Sequence, residues 1–198
     1  MVDYVFKVVI IGDEGVGKSS LLHLYNYGEY KERISPTIGV DFFATVVEWN
    51  RLKVKLQIWD TSGNSSFLGI THSYFKHSIG AIIVFKDDES FNNVENWILH
   101  YKNFNKDYHS ILVVNNSNKQ YDCINLIRKF GVQYLDSSDM KVAFKTLVEM
   151  ILEDYRSQPL KFKNMESFKK FKNVGNRYVR FEDDYQEEIG CCSKCVIL

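Results

Sequence analysis

The chain of 198 residues carries no net charge, 25 Lys and Arg balancing 25 Asp and Glu. No overall field therefore draws it to nucleic acid. It lacks any run of ~18 apolar residues, so the sequence contains no candidate membrane span. Its start, Met1-Val2-Asp3-Tyr4, fits neither a signal peptide nor a myristoylation site. Cysteine is scarce: of four, Cys123 stands alone and Cys191, Cys192 and Cys195 cluster near the end. That spacing makes neither a disulfide framework nor a zinc site, and the expected compartment is cytosolic. The sequons at Asn64 and Asn115 read as chance matches. No histidine cluster or cysteine nucleophile offers a competing chemistry.

What is present begins with an apolar fraction of 45%, enough for one full core, in a length that fits about one domain plus a tail. Early in the chain an apolar run, Val8-Val9-Ile10-Ile11, leads into Gly12-Asp13-Glu14-Gly15-Val16-Gly17-Lys18-Ser19, followed by Ser20-Leu21-Leu22. A buried strand, a glycine-rich turn and a helix start in that order make a phosphate-binding P-loop. Glycines let the backbone curl until its N–H groups converge on an anion, and the helix N-terminus adds free donors and positive dipole charge. Lys18 supplies charge for the β- and γ-phosphates, and Ser19 a hydroxyl for Mg2+.

Strand patterns fall near residues 4–11, 41–50, 53–59, 80–85, 111–114 and 133–135, and helical patterns near 18–27, 67–76, 91–105, 122–130 and 142–155. Asn50-Arg51 reads as a hairpin turn between two of the strands. This alternation predicts an α/β fold with a mostly parallel six-stranded sheet covered by helices on both faces. Ligands bind such sheets beyond the carboxyl ends of the strands, where the P-loop sits. The expected division is a globular domain over 1–155, a tether over 156–190 and a cysteine motif over 191–198. The tether is polar, basic from Lys161 to Arg180 and acidic from Glu182 to Glu188, and its Phe/Lys interleaving over 161–172 leaves grazing contact with an anionic membrane open.

Two further segments carry a resemblance: Ser35-Pro36-Thr37-Ile38-Gly39-Val40-Asp41-Phe42 and Lys55-Leu56-Gln57-Ile58-Trp59-Asp60-Thr61-Ser62-Gly63. With the P-loop, and with Tyr74-Phe75-Lys76 and Glu89-Ser90-Phe91-Asn92-Asn93-Val94, they resemble the Ras superfamily of small GTPases, in its Rab branch, over residues 4 to about 155. The resemblance implies a membrane-anchored GTP/GDP switch in vesicle traffic, working as a monomer with an exchange factor, an activating protein and effectors. It implies direct Mg2+ ligation by Ser19 and Thr37, with Asp60 holding the metal through water. Glu14, Gly15, Val16, Gly17, Lys18, Ser19 and Ser20 would line the phosphates, Gly63 would meet the γ-phosphate and Tyr30 would pack against the base. Lys18, Thr37 and Asn64 are the implied catalytic positions. Thr37 and Gly63 would bond groups present only in the triphosphate state, so loss of the γ-phosphate would release both loops.

The sequence departs from that family at three places. Asn64 stands where the family has Gln, which orients the attacking water. Asn is shorter by one methylene, ~1.5 Å of reach, and a misplacement of ~1 Å can cost about a hundredfold in rate, so slow intrinsic hydrolysis is expected. Glu14 puts a negative charge beside the γ-phosphate region; pointing to solvent, excluding an arginine and attracting one all remain open. The base-reading Asn-Lys-x-Asp aligns with Asn115-Asn116-Ser117-Asn118. Asn118 offers one acceptor and one donor where a carboxylate accepts twice, a mismatch worth about 1–3 kcal/mol when buried. Asp136-Ser137-Ser138-Asp139 resembles the second base loop, with Ser138 and the N–H of Asp139 near the base and Met140 replacing a Lys. The alternatives are a nucleotide-holding pseudo-GTPase scaffold and a P-loop NTPase of relaxed base preference. Finally, Cys195-Val196-Ile197-Leu198 has the C-a-a-X form, and its Leu implies geranylgeranylation. One lipid holds a membrane weakly, so Cys191 and Cys192 are candidates for a second. The expected location is the cytoplasmic face of an intracellular membrane, with a cytosolic pool.

Overall fold

The computed structural model describes residues 2–29, 35–105, 110–162, 168–174 and 177–181. Tyr30, Cys191, Cys192 and Cys195 lie outside them.

Strand β1 (Tyr4–Ile11) is the centre of the sheet, and its alternation explains the layers. Val8 and Ile10 face one core with Leu56, Ile58, Phe144 and Leu147. Val9 and Ile11 face the other with Ile83, Phe85 and Trp97. Side chains of successive strand residues point to opposite faces, so a strand apolar at every position must be covered twice. Helices α1 (Lys18–Tyr27) and α6 (Met140–Ser157) cover the first face. Helices α2 (Leu68–Phe75), α4 (Val94–Phe104) and α5 (Ile124–Phe130) contribute to the second. A short α3 (Asp88–Asn92) precedes α4. It starts earlier than the apolar pattern suggests because Asp87 and Ser90 form a reciprocal capping box.

The strand order is β2 (Val40–Trp49), β3 (Leu52–Thr61), β1, β4 (Gly80–Phe85), β5 (Ser110–Asn115) and β6 (Gln133–Leu135). All neighbours run parallel except β2 and β3, which pair antiparallel from Val40↔Thr61 to Trp49↔Leu52. Their turn, Asn50 and Arg51, has φ of 47° and 69°. Left-handed backbone at both turn positions matches the twist of a two-residue hairpin. The connections leave β1 toward β3 on one side and β4 on the other. The carboxyl end of β1 is therefore the switch point where an open α/β sheet binds ligands.

Within 156–190 the structure differs from a uniform tether. Helix α6 runs to Ser157, a 3-10 turn spans Pro159–Phe162, and β7 (Phe168–Val174) and β8 (Arg177–Phe181) pair as antiparallel strands. β7 pairs with Tyr4–Phe6 of β1, while β4 pairs only from Val8 onward. The first residues of β1 have backbone groups on that side that β4 does not reach, and an added strand satisfies them. The sequence signal was Gly175-Asn176 between two segments rich in aromatic and β-branched residues.

Leu147 is fully buried between α6 and the sheet. Leu147→Ala should lower unfolding stability by about 2–5 kcal/mol in urea denaturation, the range for a core leucine that leaves a cavity.

Candidate phosphate and metal site

The turn after β1 is shaped by backbone that only glycine tolerates. Gly12 has φ 138°, and a Cβ there would lie 2.2 Å from the carbonyl oxygen of Val84. Gly17, with φ 97°, is the N-cap of α1 and passes so close to Asn116 that a Cβ would meet its Nδ2 at 2.6 Å. The curl brings the Lys18 ammonium onto the carbonyls of Gly12 and Asp13, both at 2.8 Å. Lys18 is 6% exposed. Burial pulls its pKa down to about 8, and the charges of Asp60, Asp13 and Glu14 only partly offset this.

Three oxygens converge beside it from three segments. Ser19 lies in the first turn of α1, Thr37 lies between α1 and β2, and Asp60 lies near the end of β3. The Ser19 and Thr37 hydroxyls are 2.8 Å apart, and Ser19 Oγ donates to Asp60 Oδ2. Asp60 is 4% exposed, and its other oxygen, Oδ1, is buried with no hydrogen-bond partner among the described residues. Burial raises its pKa to about 6 against the opposing pull of the Ser19 hydrogen bond and of Lys18, and Asp41 adds to the rise. A buried carboxylate with an unused oxygen next to two hydroxyls is a donor set of hard oxygens, which fits a hard divalent cation. The adjoining cleft, about 420 Å3, is lined by Glu14, Gly15, Lys18, Ser19, Thr37 and Gly63 among others. Its anion-facing groups are the α1 N-terminus and Lys18, so phosphate and cation would lie side by side.

The model of the Ras family matches residues 7–154. The chain belongs to the Ras family. It is similar to Ras-related protein Rab-11B of Dictyostelium discoideum, 45% identical over 109 residues, which cover 54% of this chain and 50% of that protein. It is similar to Ras-related protein RABD2a of Arabidopsis thaliana, 50% identical over 98 residues, 48% of each chain. Ras-related protein rab-39 of Caenorhabditis elegans is 44% identical over 98 residues, 48% of this chain and 43% of that one. The chain thus falls in the Rab branch, and it matches about half the length of these curated relatives.

In this Ras-family chain the structure draws together Glu14, Gly15, Gly17, Lys18, Ser19, Ser20, Thr37 and Gly63 around one cleft, with Asp60 beside it. Val16 is buried beneath the loop. A Cβ on Gly63 would lie 2.3 Å from the carbonyl carbon of Asp13 and the nitrogen of Glu14, so the Gly63 backbone is seated on the P-loop. Asn64 donates from Nδ2 to Glu14 Oε2 at 2.8 Å.

The expected base side is arranged differently from a simple row of readers. Asn115 is buried and spends its carboxamide internally: Nδ2 donates to the Lys119 carbonyl and to Asp136 Oδ1, both at 2.7 Å, and Oδ1 accepts from Ser117. Asn116 reaches the P-loop, donating to the Val16 carbonyl at 2.8 Å. Asn118 and Ser138 are exposed. The Asp139 carboxylate caps α6 by accepting from the Lys141 N–H, and its own N–H donates to Ser137 Oγ at 3.1 Å.

Sequence reasoning missed three further supports of the loop. Asp13 accepts from Trp97 Nε1 at 2.6 Å and from Asn93 Nδ2 at 2.8 Å, tying the P-loop to α4. Lys86 Nζ donates to the Gly15 carbonyl at 2.8 Å. Asn116 is the third. Partners separated by 70 to 100 positions leave no local trace in a sequence. Trp97→Phe removes the indole N–H that Asp13 accepts from, and with it the five-membered half of a buried ring. It should cost at least about 1.5–3 kcal/mol in urea denaturation, the range for a hydrogen bond to a charged group.

Proposed function

We propose that this chain is a Rab-like GTP hydrolase that switches between Mg2+–GTP and GDP states in intracellular vesicle traffic. The observation that carries this reading is the pairing of a buried Lys18 on a glycine cradle with the converging oxygens of Ser19, Thr37 and Asp60. Lys18 and the α1 N-terminus would hold the phosphates, and Ser19 and Thr37 would ligate Mg2+, with Asp60 behind them. The metal, when bound, neutralises charge on the phosphate oxygens. In hydrolysis a water oxygen bonds to the γ-phosphorus, the bond to the β–γ bridging oxygen breaks, and the water proton leaves with inorganic phosphate. Thr37 and Gly63 would report the γ-phosphate to their segments, which exchange factors, an activating protein and effectors would read. Asn64 supports slow intrinsic turnover.

Cys195, with Cys191 or Cys192 as second site, supports a lipid anchor on the cytoplasmic face of a membrane. No helix of the described residues is long and apolar enough to cross one.

The test is nucleotide affinity of the purified protein with and without Mg2+, base competition, then single-turnover hydrolysis. Mg2+-dependent GTP binding with slow release of phosphate is expected, and Asp60→Asn should weaken the Mg2+ dependence at least tenfold, about 1.4 kcal/mol. No binding would leave a scaffold, and equal competition by ATP would leave a P-loop NTPase without base preference. For the anchor, intact mass from cells should show a prenyl increment that Cys195→Ser abolishes; an unchanged mass refutes it.

A further inference from the structure

Asn64 occupies the catalytic position, and each of its polar groups is engaged. Its Oδ1 accepts from the Ser66 N–H at 2.9 Å, capping the 3-10 turn Ser65–Phe67. Its Nδ2 donates to Glu14 Oε2 at 2.8 Å, and its own N–H donates to Ser62 Oγ at 3.3 Å. This is not a chance meeting of two long side chains. The Gly63 backbone is pressed onto the Asp13–Glu14 peptide, so the neighbouring Asn64 is delivered to Glu14 by the fold. Glu14 itself stands at the rim of the phosphate cleft.

We propose that Glu14 is a positioning residue that latches the Asn64 carboxamide to the P-loop and withholds it from the attacking water. Orienting a water for attack on phosphorus needs the carboxamide oxygen as acceptor. That oxygen accepts from Ser66, and the amide nitrogen donates one hydrogen bond to the Glu14 carboxylate. The short reach of Asn64 is therefore compounded by a restraint that its partner imposes. The same contact gives the Glu14 carboxylate an amide donor at the rim of the cleft, which partly offsets its charge there. Opening the latch removes the restraint on Nδ2, so the carboxamide can turn and exchange its oxygen from the Ser66 N–H to the water; a partner that supplies a cation to Glu14 would permit this and accelerate the hydrolysis step written above. This rests on the hydrolase reading.

Two measurements test it on the full chain. Glu14 is exposed, so its replacement leaves the core intact. In nucleotide-free protein, Glu14→Ala should speed amide hydrogen exchange over residues 64–68; unchanged exchange overturns the latch whatever the nucleotide does. In single-turnover GTP hydrolysis, Glu14→Ala should raise the rate about two- to tenfold, the factor for one hydrogen bond of typical net strength. Glu14→Gln, which keeps an acceptor oxygen, should raise it less. The increment should vanish in an Asn64→Ala background. An equal rise there would assign Glu14 a direct charge effect on the phosphate and overturn the latch. A fall in rate in Glu14→Ala also overturns it. Failure of every variant to bind GTP, with exchange still faster in Glu14→Ala, sinks the hydrolase reading and upholds the contact.

Discussion

Two buried groups of opposite charge that feel each other's field, the Lys18 ammonium and the Asp60 carboxylate, set the terms for the rest of this structure. A buried charge is costly unless it is paired or hydrogen-bonded. Lys18 is met by the carbonyls of Gly12 and Asp13, which only a tightly curled backbone brings within reach. Asp60 is met on one oxygen by Ser19 and, among the described residues, on the other by none. Both charges are thus partly compensated by protein, and each is complementary to one half of a cation–phosphate pair. Burial weakens both ionised forms, so such a ligand would gain from restoring them.

The curl in turn depends on what surrounds it. Gly12 lies against the backbone of β4, Asp13 is gripped by Trp97 of α4 and by Asn93 just before it, Gly15 is held by Lys86, and Val16 by Asn116. These partners come from the ends of β4 and β5 and from α4, all at the carboxyl edge of the parallel sheet. The sheet order, with β1 between β3 and β4, delivers them there. A loop fixed from several sides can present its N–H groups without reorganising, which is the general requirement for electrostatic recognition.

Much of this was legible in the sequence because it is local. The P-loop glycines, the apolar β1 and the Asn50-Arg51 hairpin each carry their own signal, and the structure forms them where expected. The convergence of Ser19, Thr37 and Asp60 was legible only through resemblance, since three oxygens from three segments share no spacing rule. The supports of Asp13, the spent carboxamide of Asn115 and the Glu14–Asn64 bond were illegible, because each joins residues distant in sequence or turns on which way an amide faces. Asn115 is the instructive case. Alignment alone places it with the base contacts; in the structure it is buried at the end of β5, where an amide must find partners within the protein, and it finds Asp136, Ser117 and the Lys119 carbonyl.

The central claim, that the Lys18 cradle and the three converging oxygens form one cation–phosphate site, is tested most directly by a crystal structure with Mg2+ and a hydrolysis-resistant GTP analogue. The account predicts Mg2+ at about 2.0–2.1 Å from the Ser19 and Thr37 hydroxyls, the phosphates along the α1 N-terminus, and Asp60 Oδ1 turned toward the metal's water shell. Phosphates bound elsewhere, or a metal that does not touch Ser19, would contradict it.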